Sequence, residues 1–174
     1  KVLFDAKADD TGYSYEIHSI AEAEGIKNEV SYPVMVKPCD GSGSRGASRV
    51  DSADEFQIAC ELAVKASITG RATVETFIVG REYGAETLVI DGVPHVFAIM
   101  QKWMTEPPYY AELGHAIPND LSEETEQKAR RCVENAIKAL GVNFGSVNMD
   151  MLITTQGNVH IIDIGARMGG NLIG

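Results

Sequence analysis

The run "GSVNMDMLITTQGNVHIIDIG", residues 145 to 165, constrains the fold more than any other stretch of the chain. Two strand-like segments, 146–154 and 158–164, flank Gln156-Gly157, and the first alternates apolar with polar side chains. With Gln156-Gly157 as a two-residue turn, Thr155 pairs with Asn158, and the ladder then sets Asp150 opposite Asp163 and Asn148 opposite Gly165. Val147, Met149, Met151 and Ile153 make the apolar face, which leaves both aspartates on the other. Directly opposed residues have Cβ atoms about 4.5–5.5 Å apart, and like charges so placed repel unless a cation lies between them. Two carboxylates without thiolates or clustered imidazoles suit a hard, oxygen-preferring ion such as magnesium, whose shell is completed by water and phosphate. The alternative is a solvated aspartate at a strand end.

A second feature also points to phosphate. In "VKPCDGSGSRGASRV", residues 36 to 50, Gly41-Ser42-Gly43-Ser44-Arg45-Gly46 forms a G-x-G-x-x-G. A dinucleotide-binding fingerprint needs these glycines to open a helix, but here they run into Ala47-Ser48-Arg49-Val50, a strand-like segment. A Walker A loop ends in Gly-Lys-Ser/Thr, whereas Lys37 precedes the glycines. What remains is a hairpin tip whose small residues let backbone N–H groups approach phosphate oxygens, with Lys37 as a point charge. From these residues alone, a plain mobile turn beside a surface lysine is an equal reading.

The rest of the chain frames these two features. Ser52 with Glu55 three residues on reads as a capping box opening a helix, with Phe56, Ala59, Cys60, Ala63 and Val64 on one face, that runs to Gly70. A second helix starts near Ser122, buries Ala129, Cys132, Val133, Ala136, Ile137 and Leu140, and stops at Gly141. Strands are expected at 33–37, 47–50, 72–79, 82–90, 93–101, 146–154 and 158–164, with Asp91-Gly92 as a further turn. Residues 102–121, with Pro107, Pro108, Gly114 and Pro118, read as one long loop.

Composition narrows the function classes. There are 15 Lys and Arg against 25 Asp and Glu, a net charge of −10 with no basic run, which disfavours nucleic acid and acidic membrane surfaces. Cys39, Cys60 and Cys132 form neither C-x-x-C nor a Cys/His cluster, which argues against disulfides and structural zinc and for a reducing, cytoplasmic setting. No run reaches the roughly 18–20 apolar residues of a membrane span. The chain opens without Met and stops just after "RMGGNLIG", so a piece of a longer protein is expected.

The order Lys37, glycine loop, "VETFIVGRE", then Asp150, Asp163 and Arg167 resembles the ATP-grasp superfamily, most of all its carbamoyl-phosphate-synthetase-like and amino-acid-ligase-like branches. The resemblance covers nearly the whole chain and implies an α+β fold, two lobes with antiparallel sheets gripping ATP, divided here at about 1–74 and 75–174. It implies ATP and Mg2+ as cofactors. By position, Lys1 and Lys37 match nucleotide lysines, and Gly41, Ser42, Gly43, Ser44 and Gly46 the closing loop. Glu75 with the backbone of Thr76, Phe77 and Ile78 matches the adenine hinge, Glu82 the ribose acid, and Leu152 the adenine pocket. Asp150 and Asp163 match the two metal acids, although Asp163 stands where glutamate is usual and Gly165 where an asparagine ligand is common. Asn148, opposite Gly165, is expected to replace that amide.

Arg167 and Lys37 are the expected catalytic cations, with Gly169, Gly170 and His115 as substrate contacts. For Glu75 and Glu82 strand-edge charge is the bland reading, for Arg167 a pair with Asp163, and for His115 an idle exposed ring. The implied reaction is ATP-dependent ligation of a carboxylate to an amine through an acyl phosphate. The alternatives are a synthetase-like enzyme phosphorylating bicarbonate or carbamate, and an ATP-binding module without turnover. Small-molecule acid and amine partners are expected, and a homo-oligomer is compatible with the sequence.

Overall fold

The computed structural model describes residues 13–41, 43–106 and 110–170. The expectations for Lys1 and Ser42 lie outside the described residues. Among the described residues, twelve regular elements form two antiparallel sheets with three helices, an α+β architecture. In chain order they are β1 (Ser14–Ile17), α1 (Ile20–Ile26), β2 (Val34–Pro38), β3 (Ser48–Val50), α2 (Ala53–Ala66) and β4 (Ala72–Thr76), followed by β5 (Arg81–Ile90), β6 (Val93–Met104), β7 (Glu112–Ala116), α3 (Glu123–Leu140), β8 (Gly145–Ile153) and β9 (Val159–Gly165).

The chain divides into two compact units. One takes residues 13–77 together with the described part of 105–111; the other takes 78–104 and 112–170. In the first, the strands run β1-β4-β2-β3. Alternate residues Val34 and Val36 of β2 and Ala72 and Val74 of β4 are buried with Phe56, Ala59, Cys60 and Ala63 of α2, because period-2 and period-3.6 patterns turn their apolar sides to one core. The connection from β2 to β3 carries the described glycine-loop residues 41 and 43–46, and the two strands pair antiparallel with Val34 against Val50. Gly46 has φ +78°, and a Cβ there would come within 2.6 Å of the Ala66 Cβ, so only glycine fits the turn against the end of α2. Asp40 anchors the loop's start, accepting from Ser67 Oγ at 2.7 Å, Ile68 N at 2.9 Å and Thr69 N at 2.8 Å. These hydrogen bonds hold its carboxyl well below the usual carboxylate range.

The second unit is a five-stranded sheet ordered β7-β6-β5-β8-β9. One face carries Tyr83, Ala85, Val89, Ile99, Val147, Met149, Met151 and Ile153 against Ala129, Val133, Ala136 and Ile137 of α3. Ser122 caps α3 by accepting from Thr125 N, and Gly141 ends it at φ +67°.

Several expectations need correction. Ser52 makes no side-chain cap; Glu55 reaches back to the N–H of Asp51 instead. The second helix does not bury Leu140, which is 43% exposed. The strand expected at 72–79 stops at Thr76, and 102–121 is not one loop, since β6 continues to Met104 and β7 occupies Glu112–Ala116. β1 and α1 were not expected, although Ser19-Ile20-Ala21-Glu22 carries a helix-start signal: Ser19 accepts from Glu22 N, and Glu22 from His18 N.

The hairpin of β8 and β9 turns differently from the sequence expectation. Thr154 N donates to Asn158 O and Gly157 N to Thr154 O, a three-residue loop with Gly157 at φ +77°. Ile153 thus pairs with Val159, one register off, until a bulge at Ile162 restores Asp150 opposite Asp163 and Asn148 opposite Gly165.

Candidate functional site

The expected residues fall in both units, and each set has its own geometry. In the first, Lys37 on β2 pairs with Glu75 on β4 at 2.9 Å. Glu75 faces Met35 across the ladder, so the lysine two positions along the same strand reaches it diagonally. Gly41, Gly43, Ser44 and Gly46 lie on the tip beyond. Gly43 and Ser44 also adopt positive φ, 66° and 56°, and Ser44 Oγ donates to Tyr110 O at 3.2 Å. In the hinge stretch, Thr76 N donates to Tyr13 O and Phe77 N to Pro33 O, so of the three expected backbone contacts only the N–H of Ile78 lacks a partner among the described residues. Arg49 stacks over the Phe77 ring at 4.6 Å. The thiol of exposed Cys39 is pushed up by local burial and by Glu16, which does not make a nucleophile.

In the second unit, the sheet face away from α3 is polar. Its centre is Lys102, with a side chain 4% exposed and its Nζ 2.7 Å from Glu82 Oε1, 2.9 Å from Asp150 Oδ1 and 3.1 Å from Glu112 Oε2. Burial alone would lower the lysine's pKa, but Asp150 and Glu82 outweigh it and the net shift is upward. Burial pushes Glu82 up against the opposing pull of Lys102. Among the described residues, three carboxylates meet one ammonium, which leaves this cluster negative. His115 pairs across the ladder with Lys102 and lies 3.3 Å from Glu112, so it joins this cluster rather than standing idle.

Asp163, opposite Asp150, is exposed, and its Oδ1 accepts from Ile164 N at 3.0 Å. Leu152 shares the face and pairs with Glu82. Asn148 donates its Nδ2 to Glu86 Oε1 at 2.7 Å, so its Oδ1 has no partner among the described residues. Arg167 does not pair with Asp163; its Nη1 donates to Met168 O at 2.8 Å. Gly169 N donates to Glu86 Oε2 at 3.3 Å, and a Cβ at Gly169 would collide with Glu86 Oε1, while Gly170 stands in open space.

The sequence reading missed Lys102, Glu112 and Glu86. Asp91-Gly92 forms a two-residue turn with both residues at positive φ, which pairs Ile90 with Val93. Continued without interruption, that register puts Gln101 opposite Glu82. A bulge between Glu86 and Thr87 shifts it by one, so that Tyr83 faces Gln101 and Lys102 comes onto the acidic face. Phe97 is the unpaired residue and stands 66% exposed.

Comparisons with known proteins identify the family and the fold. An uncharacterized protein, y4rH, of Sinorhizobium fredii (strain NBRC 101917 / NGR234) is 28% identical over 155 residues, 87% of this chain and 31% of its own length. The D-alanine–D-alanine ligase of Francisella tularensis subsp. novicida (strain U112) is 27% identical over 145 residues, 82% of this chain and 48% of its own. The chain therefore spans about a third to a half of these relatives. A crystal structure of an L-amino acid ligase from Bacillus licheniformis superposes with a TM-score of 0.81 at 31% identity, covering 97% of this chain and 39% of that one. The family profile of the ATP-grasp domain matches residues 30–174, and the chain belongs to the ATP-grasp family.

Proposed function

We propose that this chain is the nucleotide-binding part of an ATP-dependent ligase that joins a carboxylate to an amine. ATP with Mg2+ is the cofactor pair of ATP-grasp enzymes. The observation that carries the reading is the Asp150–Asp163 pair on one sheet face, with buried Lys102 on Asp150. The donor set fits magnesium: two opposed carboxylates, an excess of negative charge, and the Oδ1 of Asn148, which has no partner among the described residues. Asp150, Asp163 and Asn148 would hold the ion, which when bound neutralises phosphate charge.

In the reaction, a carboxylate oxygen attacks the γ-phosphorus, the bond to ADP breaks, and an amine then attacks the acyl carbon, expelling phosphate and losing a proton. Such phosphoryl transfer asks the protein for alignment and charge more than for covalent help. Lys37 supplies a cation for the phosphates and glycines 41, 43 and 46 supply backbone N–H groups. Glu75 and Glu82 with the Ile78 backbone and Leu152 hold the nucleoside. Arg167, a planar fork, suits a carboxylate or the transferring phosphoryl group, with His115 and the Gly169-Gly170 backbone at the substrate. The relatives named for joining amino acids, the D-alanine–D-alanine ligase and the L-amino acid ligase, favour amino acids as acid and amine.

The test is ADP formation by the protein, screened against amino acids, small amines and bicarbonate. Amino-acid-dependent ADP release supports the ligase and bicarbonate-dependent release the synthetase-like alternative. Nucleotide binding without release under any condition overturns an enzymatic role. Asp150→Asn is expected to lower Mg2+-dependent turnover by at least about a hundredfold, the size of losing one charge-stabilising contact.

A further inference from the structure

Where β5 and β6 bulge, a cavity of about 190 Å³ opens in the second unit, with Glu86, Thr87, Phe97, Met100, Ile117 and Met168 in its lining. Glu86 is only 8% exposed. Its two hydrogen-bond donors, the Asn148 side chain at 2.7 Å and the Gly169 N–H at 3.3 Å, are both neutral. Among the described residues no lysine, arginine or histidine pairs with it, whereas Glu82, Asp150 and Glu112 share Lys102. A carboxylate buried without a countercharge is costly, and the protein leaves this one at a cavity. Around Glu86 the side chains of Phe97, Ile117 and Met168 stand 54–66% exposed, an apolar rim about a polar floor, which is the make-up of a small-molecule site.

We propose that this cavity is the subsite for an amino-acid substrate, whose α-ammonium supplies the missing charge at Glu86 while its apolar side chain rests on Phe97, Met100, Ile117 and Met168. The inference rests on the ligase reading and names its substrate. The volume lies below the roughly 300–1,000 Å³ of drug-sized pockets, which limits the occupant to one small amino acid. An ammonium paired with a buried carboxylate keeps its proton and cannot act as a nucleophile. The subsite therefore takes the amino acid whose carboxylate is activated, and the attacking amine binds elsewhere.

Calorimetric titration of the protein with L-leucine, L-methionine, N-acetyl-L-leucine and 4-methylpentanoate tests this without needing turnover. Leucine or methionine is expected to bind the wild type, and Glu86→Gln to weaken that binding by about tenfold or more, the scale of a charged hydrogen bond. The two ligands lacking an ammonium should bind the wild type no better than the variant. Ala98→Leu, which narrows the same cavity without touching its charge, should weaken leucine too, and it carries the test if Glu86→Gln does not fold. Equal leucine affinity in folded wild type and variants, no binding of either amino acid, or a preference for the acetylated ligand overturns the subsite. ADP formation with unchanged amino-acid KM in Glu86→Gln keeps the ligase and removes the subsite. Glu86-dependent leucine binding without ADP formation does the reverse.

Discussion

Replacing Lys102 by methionine keeps most of the side chain's apolar volume and removes its ammonium from among Glu82, Asp150 and Glu112. The lysine side chain is 4% exposed, and its three N···O distances run from 2.7 to 3.1 Å. Deleting one partner of a buried ion pair costs about 3–5 kcal/mol. The three acids retain 16–26% exposure, so water relieves part of the repulsion and the lower end, about 3 kcal/mol at neutral pH, is expected. Against a typical domain stability of about 5–15 kcal/mol, that is easily measured.

The pH dependence follows from the directions of the shifts. Lys102 has a raised folded pKa, so its contribution is fully present below its unfolded value near 10.4 and is lost as pH climbs through the folded one. Glu82 is already raised by burial with the lysine present; without it, protonation on the way from pH 7.5 to 5 relieves the remaining acids. The deficit of the variant should shrink towards pH 5, by up to about 1.4 kcal/mol per pH unit for each extra proton taken up. Urea unfolding of wild type and Lys102→Met followed by circular dichroism at both pH values measures it. A deficit under about 1 kcal/mol at pH 7.5, or one that does not change with pH, would refute a structural dependence of these carboxylates on the lysine's charge.

Two further outcomes are expected. Gly46→Ala should lower stability by about 2–4 kcal/mol, from the left-handed φ and the overlap with the Ala66 Cβ, and Ala66→Gly should restore part of the loss in thermal melts. Asp120 is held below the usual carboxylate range first by its hydrogen bond from Arg81 and then by that from Tyr83, and it stabilises the fold above its unfolded pKa near 3.9, an effect lost as pH falls through the depressed folded value. Its side chain is 45% exposed, so the contribution is at most about 1 kcal/mol; Asp120→Asn should flatten the acid limb of the stability curve, and an unchanged limb refutes this.

The polar face of β8 was legible because burial of alternate residues is a local, period-2 property: Val147, Met149, Met151 and Ile153 face the core wherever the strand lies, so Asn148, Asp150 and Leu152 face away. The pairing of Asp150 with Asp163 was reached through a turn that the protein does not make. The three-residue loop and the Ile162 bulge each shift the ladder by one, in opposite senses, and cancel. Helix α3 was legible for the same local reason, with a serine cap and a left-handed glycine marking its ends.

Long-range packing decided the rest. No alternation in 102–121 announces β7, whose ladder partners are supplied by β6. Lys102 reaches its acids only because β6 carries one residue more than β5 at Phe97, and the same bulge opens the cavity beside Glu86. The chain by itself fixed which residues are apolar at which spacing, and with that the core faces and the pair of facing aspartates. Where a strand inserts an extra residue depends on twist and on contacts with distant segments, so only the folded sheet determined which cation joins which acids and which carboxylate is left without one.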